Sequence, residues 1–134
     1  MAKTTKLGPL LVILVLCVLI YLIYVVSSSN FKNYSPSLKI SIAEAKARRF
    51  GLIIDVRTPN ERELLGYYPN SIPISPQRIQ QEVPLDISNK NTWILVYSNG
   101  DNRAENAAKS LYKQGYQNVR YITETYLSLL PGSS

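Results

Sequence analysis

The chain has 134 residues, a formal net charge of +6, no histidine and a single cysteine, Cys17. This length provides for one membrane segment and one domain of about 100 residues. Because histidine is absent and Cys17 lies in an apolar run, the composition excludes a disulfide framework, a zinc site and an imidazole base, so we expect neither a metal nor another cofactor.

The first predicted element is an apolar segment, residues 7–26, whose twenty residues include no charge. A helix of this length rises about 30 Å, which matches the hydrocarbon core of a bilayer. Tyr21 and Tyr24 lie near its far end, where tyrosine favours the headgroup boundary. A cleaved secretory signal and a buried core helix are the alternatives, but the apolar stretch of a signal usually runs only about 7–15 residues. The sequence therefore predicts a single transmembrane helix that anchors the chain in a lipid bilayer.

Polar segments flank this helix on both sides. Residues 1–6 form a short basic N-terminus with Lys3 and Lys6, and residues 27–37 are predicted to be a linker. Basic residues also follow the helix within counting range, so the charge balance predicts no orientation in the membrane. The kind of membrane, cellular or internal to a virus particle, is equally open. A linker of this length holds the following domain close to the bilayer.

Helices and short apolar strands alternate through the rest of the chain. Each strand is a continuous apolar run closed by polar residues, which is typical of strands buried on both faces. The alternation predicts an α/β domain in which a parallel sheet is flanked by helices. The predicted elements are a helix at 41–50 capped by Ser41, a strand at 52–56, helices at 60–65 and 75–83, a strand at 93–97, a helix at 102–114 that ends at Gly115, a strand at 119–122 and a helical turn at 126–130.

A six-residue loop follows the strand at 93–97 and consists of Ser98, Asn99, Gly100, Asp101, Asn102 and Arg103. Backbone N–H groups at such a strand–loop–helix junction form a cradle for an anion. A cysteine in this cradle would be a reactive thiolate, whereas the Ser98 hydroxyl needs a base to become a nucleophile. The candidate bases are Asp101, Lys109 and a carboxylate from elsewhere in the chain, and all are less suited than imidazole. Asp101 also opposes the positive potential that would hold an anion, so we expect low anion affinity.

Two further groups of side chains are candidates for the site. Asp55 ends a buried strand, and Arg57 is expected to pair with Glu61 across a turn. We interpret these three residues as support for the loop rather than as an acid–base pair. Tyr67 and Tyr68 are expected near the mouth of the loop, where they form a candidate surface for a protein partner, because exposed tyrosines often anchor contacts.

Lys46, Arg48 and Arg49 are basic residues of the first helix of the domain. They could contact anionic lipid or nucleic acid, but a solvated helix face is the preferred interpretation. The chain has no basic stripe interleaved with aromatic residues, so we expect no nucleic-acid partner. A lipid-facing sensor remains a third hypothesis.

Four blocks of sequence stand out in order along the domain: Ile40–Ala45, Ile53–Glu61 with Gly66–Ile74, Ile94–Arg103 and Gly115–Tyr126. Together they resemble the rhodanese-like domain family, over roughly residues 38–130. The first block is similar to the opening turn and helix of the family, the second to its Asp-Val-Arg-x-Pro-x-Glu and Gly-His-Ile-Pro-Gly-Ala stretches, the third to its active-site loop and the fourth to its closing strand and loop. The resemblance implies a rhodanese-like parallel sheet, followed here by a short tail at 131–134.

The chain departs from the family pattern at the position that reacts. Active sulfurtransferases of this family carry a persulfide on a cysteine where this chain has Ser98. Tyr67 replaces the usual histidine, Asn70 replaces a glycine, and Glu124-Thr125 replaces a Gly-Gly pair, while Arg103 keeps the arginine that closes the loop.

The sequence thus favours a membrane-anchored, catalytically inactive rhodanese-like domain that acts as a structural or protein-binding module. We expect it to fix one or more protein partners to a bilayer. A multi-protein assembly would suit it, such as the layer that faces the inner membrane of a virus particle. The alternative is a weak sulfurtransferase- or phosphatase-like enzyme that processes anions with the Ser98–Arg103 loop.

Overall fold

The computed structural model describes residues 7–31 and 36–133, which belong to two compact units divided after Pro36. The predicted basic N-terminus, 1–6, lies outside the described residues. So do residues 32–35 of the predicted linker and Ser134 of the predicted tail. The structure therefore does not describe the lysines at positions 3, 6 and 32. The charge balance on either side of the helix depends on these lysines.

The first unit contains helix α1, Leu7–Phe31. Its segment Leu7–Ser28 is long and apolar enough to cross a membrane, and the side chains of its apolar window are exposed rather than buried in a core. The helix continues five residues beyond Val26, into the segment predicted as linker. The Ser28 hydroxyl donates to the Val25 carbonyl at 3.0 Å, so this serine is accommodated inside the helix.

The second unit is built on four parallel strands: β1 Leu52–Asp55, β2 Ile72–Pro73, β3 Ile94–Tyr97 and β4 Val119–Tyr121. They lie in the order β2-β1-β3-β4, and an isolated bridge from Lys39 to Tyr121 adds to the β4 edge. Asp55 and Tyr97 are register partners at the carboxyl ends of the two central strands. The parallel sheet is confirmed. The sequence missed β2, because two residues are too few for a hydrophobic pattern to reveal.

Helices cover both faces of this sheet: α2 Ile42–Ala47, α3 Pro59–Leu65, α4 Ile79–Asp86, α5 Arg103–Lys113 and a 3₁₀ turn, Tyr126–Leu129. The Ser41 hydroxyl caps α2 by accepting from the Glu44 N–H. α2 ends at Ala47 and not at Phe50 as predicted, because Arg48 adopts an extended conformation and stacks on Trp93.

The start and end predicted for α4 were also wrong. A turn closed by the bond from the Arg78 N–H to the Ser75 carbonyl precedes the helix, which then continues through Pro84 to Asp86. Proline has no N–H to donate to the carbonyl four residues back, that of Gln80. The side-chain amide of Gln114 donates to this carbonyl instead, at 2.8 Å, which satisfies it from a neighbouring helix.

Each face of the sheet has its own hydrophobic cluster. Ile94 and Val96 of β3 pack with buried residues of α4 and α5, whereas Leu95 and Tyr97 pack with α2 and the 3₁₀ turn. Successive side chains of a strand point to opposite faces, so β3 is buried at every position. This arrangement holds the carboxyl end of β3, where the loop begins, between two packed layers.

Candidate functional site

The loop formed by residues 98–103 joins β3 to α5. Its first residue, Ser98, is 1% exposed. At Gly100 the backbone takes a φ of +85°, and a Cβ there would come within 3.2 Å of the Thr123 carbonyl oxygen. Glycine is therefore required at this turn, which lies against the chain that follows β4.

The Asp101 side chain folds back into the loop that contains it. The Ser98 Oγ donates to Asp101 Oδ1 at 2.8 Å, and the Arg103 backbone N–H donates to the same oxygen at 3.0 Å. The hydroxyl that occupies the reactive position is thus already engaged as a donor. Its acceptor is a carboxylate of the same loop.

Two carboxylates share the guanidinium of Arg103. Its Nη2 lies 2.7 Å from Asp101 Oδ2, and its Nη1 lies 2.7 Å from Glu61 Oε2. The hydrogen bond from Arg103 lowers the pKa of Asp101 to about 2 and also holds the pKa of Glu61 below its ordinary value. The two carboxylates raise the pKa of Arg103 in turn. At neutral pH this group of three carries one more negative charge than positive.

Helix α3 positions Glu61 through a capping box. The Thr58 hydroxyl accepts from the Glu61 N–H, and the Thr58 N–H donates to Glu61 Oε2 at 2.8 Å. Pro59 occupies the first turn, where its missing N–H costs nothing. The cap therefore fixes the carboxylate that reaches across to Arg103.

Beside the loop lies a buried polar network centred on Asp55, which is fully buried. Its carboxylate accepts five hydrogen bonds: three from Arg57, one from Arg62 and one from the Tyr97 hydroxyl. Burial alone would raise the pKa of Asp55, but the bonds from Arg57 outweigh burial and lower it. Burial raises the pKa of Tyr97, which keeps its hydroxyl protonated as a donor.

Arg57 connects this network to the loop. Its Nη1 donates to Asn99 Oδ1 at 3.2 Å, and its Nη2 donates to the Gly66 carbonyl at 2.7 Å. The predicted pairing of Arg57 with Glu61 is wrong. Arg57 turns back to Asp55, two residues away on the same strand end, and Glu61 is left to bind Arg103.

Sequence reasoning missed three members of the network: Arg62, Ser71 and Tyr97. The Ser71 Oγ lies 3.0 Å from the Tyr97 hydroxyl, and Arg62 donates to Ser71. From the sequence, Tyr97 is simply the last apolar residue of a buried strand. A usable signal is that Asp55 and Tyr97 both end central strands of a parallel sheet, where they become register partners. Ser71 carried no signal, because the turn that brings it to Tyr97 could not be inferred locally.

The remaining candidates lie apart from Ser98 or from each other. Lys109, a candidate base, pairs with Glu105 on the outer side of α5 at 2.8 Å. Tyr67 is exposed, with the Arg62 guanidinium 3.8 Å from its ring centroid. Tyr68 is half-buried and packs against the cluster on the α2 face, and the shared surface with Tyr67 stays a prediction. Within residues 7–31 and 36–133, no group of three or more His, Cys, Asp or Glu side chains could hold a metal ion.

Comparison with known proteins identifies the fold. The sequence model of the rhodanese-like domain family matches residues 38–128. No curated protein is similar enough to the chain to count as a match.

Several solved structures share this fold. The thiosulfate sulfurtransferase from Pseudomonas aeruginosa is 21% identical, with a TM-score of 0.57 over 67% of this chain and 18% of that one. A Rhodopseudomonas palustris protein named as a possible tyrosine phosphatase is 22% identical (TM-score 0.54, 69% and 77% coverage). A rhodanese with anions from E. coli is also 22% identical (TM-score 0.52, 60% and 91% coverage). At these identities the likeness establishes the fold alone.

Proposed function

The chain belongs to the rhodanese-like domain family, and from that premise we propose that it is a membrane-anchored, catalytically inactive member that serves as a binding or structural module. One observation carries the proposal: the buried Ser98 hydroxyl donates to Asp101, whose pKa is about 2. A general base works best when its pKa lies near the operating pH. A carboxylate of such low pKa has little tendency to take a proton from serine, so the nucleophile of this site stays unactivated.

The charges of the loop support the same proposal. In an anion-binding loop, a free arginine and backbone N–H groups face the ligand. Here Arg103 is held by Asp101 and Glu61, and the three groups together carry a net negative charge. An incoming thiosulfate or phosphate would have to displace an internal carboxylate. The loop is therefore expected to bind anions weakly.

The membrane anchor and an exposed apolar surface support the binding role. α1 is long and apolar enough to span a bilayer. In the domain, the end of α3 exposes Leu64 by 73%, Leu65 by 56% and the nearby Tyr67 by 51%. We call these three residues the α3 patch. Neighbouring exposed apolar side chains of this kind are typical of surfaces that contact a protein partner.

Turnover assays on the full chain test the inactive assignment. The protein is placed in phosphatidylcholine liposomes in a Cys17→Ser background, which removes the only native thiol. Sulfur transfer from thiosulfate to cyanide and hydrolysis of an aryl phosphate are measured beside Ser98→Ala. We expect both proteins to match empty liposomes. Turnover that Ser98→Ala abolishes would remove the proposal.

Cross-linking in native membranes, followed by mass spectrometry, tests the partner role. We expect cross-links from the α3 patch to another protein, and Leu64→Asp should reduce their yield. Leu85→Asp is the matched control, because Leu85 is an equally apolar side chain that is 84% exposed on α4. Equal loss with both variants, or no cross-link from the patch, would refute the assignment of this surface.

A weak anion-processing enzyme is the second candidate. The observation that favours it is the 2.8 Å bond from Ser98 to Asp101, because a hydroxyl beside a carboxylate is also the geometry of a nucleophile and its base. The two candidates differ in the effect of Asp101→Asn. If the loop were an enzyme, Asp101→Asn would remove the base and abolish turnover. If the loop is inactive, turnover is at background both before and after the substitution.

A further inference from the structure

A cavity of about 490 Å³ lies on the α2 face of the sheet, away from the Ser98 loop. Ile53, Leu95 and Leu129 contribute apolar walls, and none of residues 98–103 lines it. Its volume falls within the range of small-molecule sites in proteins, about 300–1,000 Å³. The rhodanese-like loop and this cavity are therefore separate features of the domain.

Three cations border the cavity: Lys46, Arg48 and Arg49. Among the described residues, Lys46 donates only to the Ser133 carbonyl and hydroxyl, both neutral. Arg49 has no hydrogen bond or ion pair in the part of the chain that the structure describes. Arg48 lies 3.8 Å from Glu44, a loose pair, and its Nε is buried without a hydrogen-bond partner. Within the part of the chain that the structure describes, the positive charge here is far less compensated than that of Arg103.

The cavity continues into an uncharged extension. A second cavity of about 370 Å³ shares Phe50, Ile53 and Tyr68 with the first and runs on to Ile72 at the β2 edge. No acidic or basic side chain lines this extension. One end of the combined groove thus presents cations, and the other end presents apolar and aromatic side chains.

We propose that this groove binds an anionic amphiphile, with its carboxylate or phosphate at Lys46, Arg48 and Arg49 and its hydrocarbon chain along Phe50 and Ile53 toward Ile72. Arginine pairs are suited to the planar oxygens of such a head group. Burial of the chain supplies the apolar part of the binding free energy. This site is independent of the proposed inactivity of the loop.

The chain contains its own reporter for this binding. Trp93 is the only tryptophan, and the Arg48 guanidinium lies 3.8 Å from its ring centroid. A head group that engages Arg48 should change this stacking contact, and with it the fluorescence of Trp93. The full chain in phosphatidylcholine liposomes is titrated with laurate. Dodecyltrimethylammonium, which has the same chain and the opposite charge, and acetate, which has no chain, are the ligand controls.

Of these three ligands, we expect only laurate to produce a saturable change in Trp93 fluorescence. Lys46→Gln with Arg49→Gln should weaken laurate binding about tenfold, because two rim cations are lost while the Arg48–Trp93 reporter stays intact. Lys109→Gln with Lys113→Gln removes the same charge from α5, on the other face, and should leave binding unchanged. Equal affinity in the two double variants would overturn the proposal, as would an equal response to the cationic amphiphile.

A second arm identifies the source of the amphiphile. Liposomes that contain phosphatidylglycerol, without laurate, should reproduce the Trp93 change if the head group belongs to a bilayer lipid. A change with laurate alone identifies a single-chain amphiphile that exchanges through water. No change in either arm would refute the site. A photoreactive fatty acid gives an independent readout, with labelling expected at Phe50–Ile53 and Tyr68 and reduced in the Lys46/Arg49 variant only.

Discussion

The Asp55 network and the Ser98 loop follow neighbouring strands, yet they use charge in opposite ways. In the network, one buried carboxylate collects five hydrogen bonds and connects β1, β3 and α3. In the loop, Asp101 and Glu61 both pair with Arg103, and the three groups together carry a net negative charge. Pairing of carboxylate with arginine thus joins three elements in the network, whereas in the loop it occupies the arginine. Under the proposed inactive role, the structural support of the site is retained while its reactivity is lost.

Asp55→Asn should produce the largest effect, because it leaves Arg57 buried beside a neutral side chain. Removing one partner of a buried ion pair costs about 3 kcal/mol or more. Urea unfolding of the full chain in detergent micelles, followed by Trp93 fluorescence, measures the change. Asp86→Asn, at an exposed position at the end of α4, is the control and should stay within about 0.5 kcal/mol of the parent. If the two variants were equally stable, the network would not be structural.

Asp101→Asn tests the other half of the comparison. The substitution removes the internal carboxylate that competes with an anion for Arg103 and the loop amides. We expect affinity for phosphate or thiosulfate to rise about tenfold, a modest gain because the loop is partly exposed to solvent. Isothermal titration of the full chain in micelles checks this, with Glu105→Gln on α5 as the control. Unchanged or weaker binding would show that Asp101 does not block the loop.

Thr58→Ala should have a smaller effect on stability, about 1 kcal/mol, because one helix cap is lost. It also removes the bond from the Thr58 hydroxyl to Glu61 Oε2, so anion affinity should rise slightly because Arg103 keeps a less rigidly held partner. Ser41→Ala removes the comparable cap of α2, far from the loop, and should lower stability without any change in anion affinity. A rise in affinity with both variants would contradict a specific link between Thr58 and the loop.

An effect of similar size is expected on the response to acid. The pKa of Asp101 is about 2 in the folded chain and about 3.9 when unfolded, so its pairing stabilises the fold above pH 4 and is lost as the pH falls toward 2. Because Asp101 is partly exposed, the loss is about 1 kcal/mol. Unfolding free energies of the parent should therefore fall more steeply between pH 4 and 2 than those of Asp101→Asn. Parallel curves would indicate that the carboxylate is not paired.

The sequence predicted the sheet and the loop because their signals are local. Apolar runs of β1 and β3 require burial on both faces, and the glycine-containing turn after β3 occurs in a recognisable stretch. The sequence paired Arg57 with Glu61, whereas Arg57 binds Asp55 and Glu61 binds Arg103. Spacing along the chain does not reveal the second pair, because Arg103 is 42 residues away from Glu61 in sequence. The groove beside α2 was missed for a related reason, since it depends on the end of α2 at Ala47 and on the extended conformation of Arg48.

The intact mass of the protein after exposure to substrate tests the central claim most directly. The Cys17→Ser chain is incubated with thiosulfate or with an aryl phosphate, and its mass is compared with that of Ser98→Cys combined with Asp101→Asn in the same background. The account predicts that the chain with Ser98 gains no mass under any condition, while the introduced thiol becomes able to take up sulfur. A sulfur or phosphoryl group found covalently on Ser98 would contradict it.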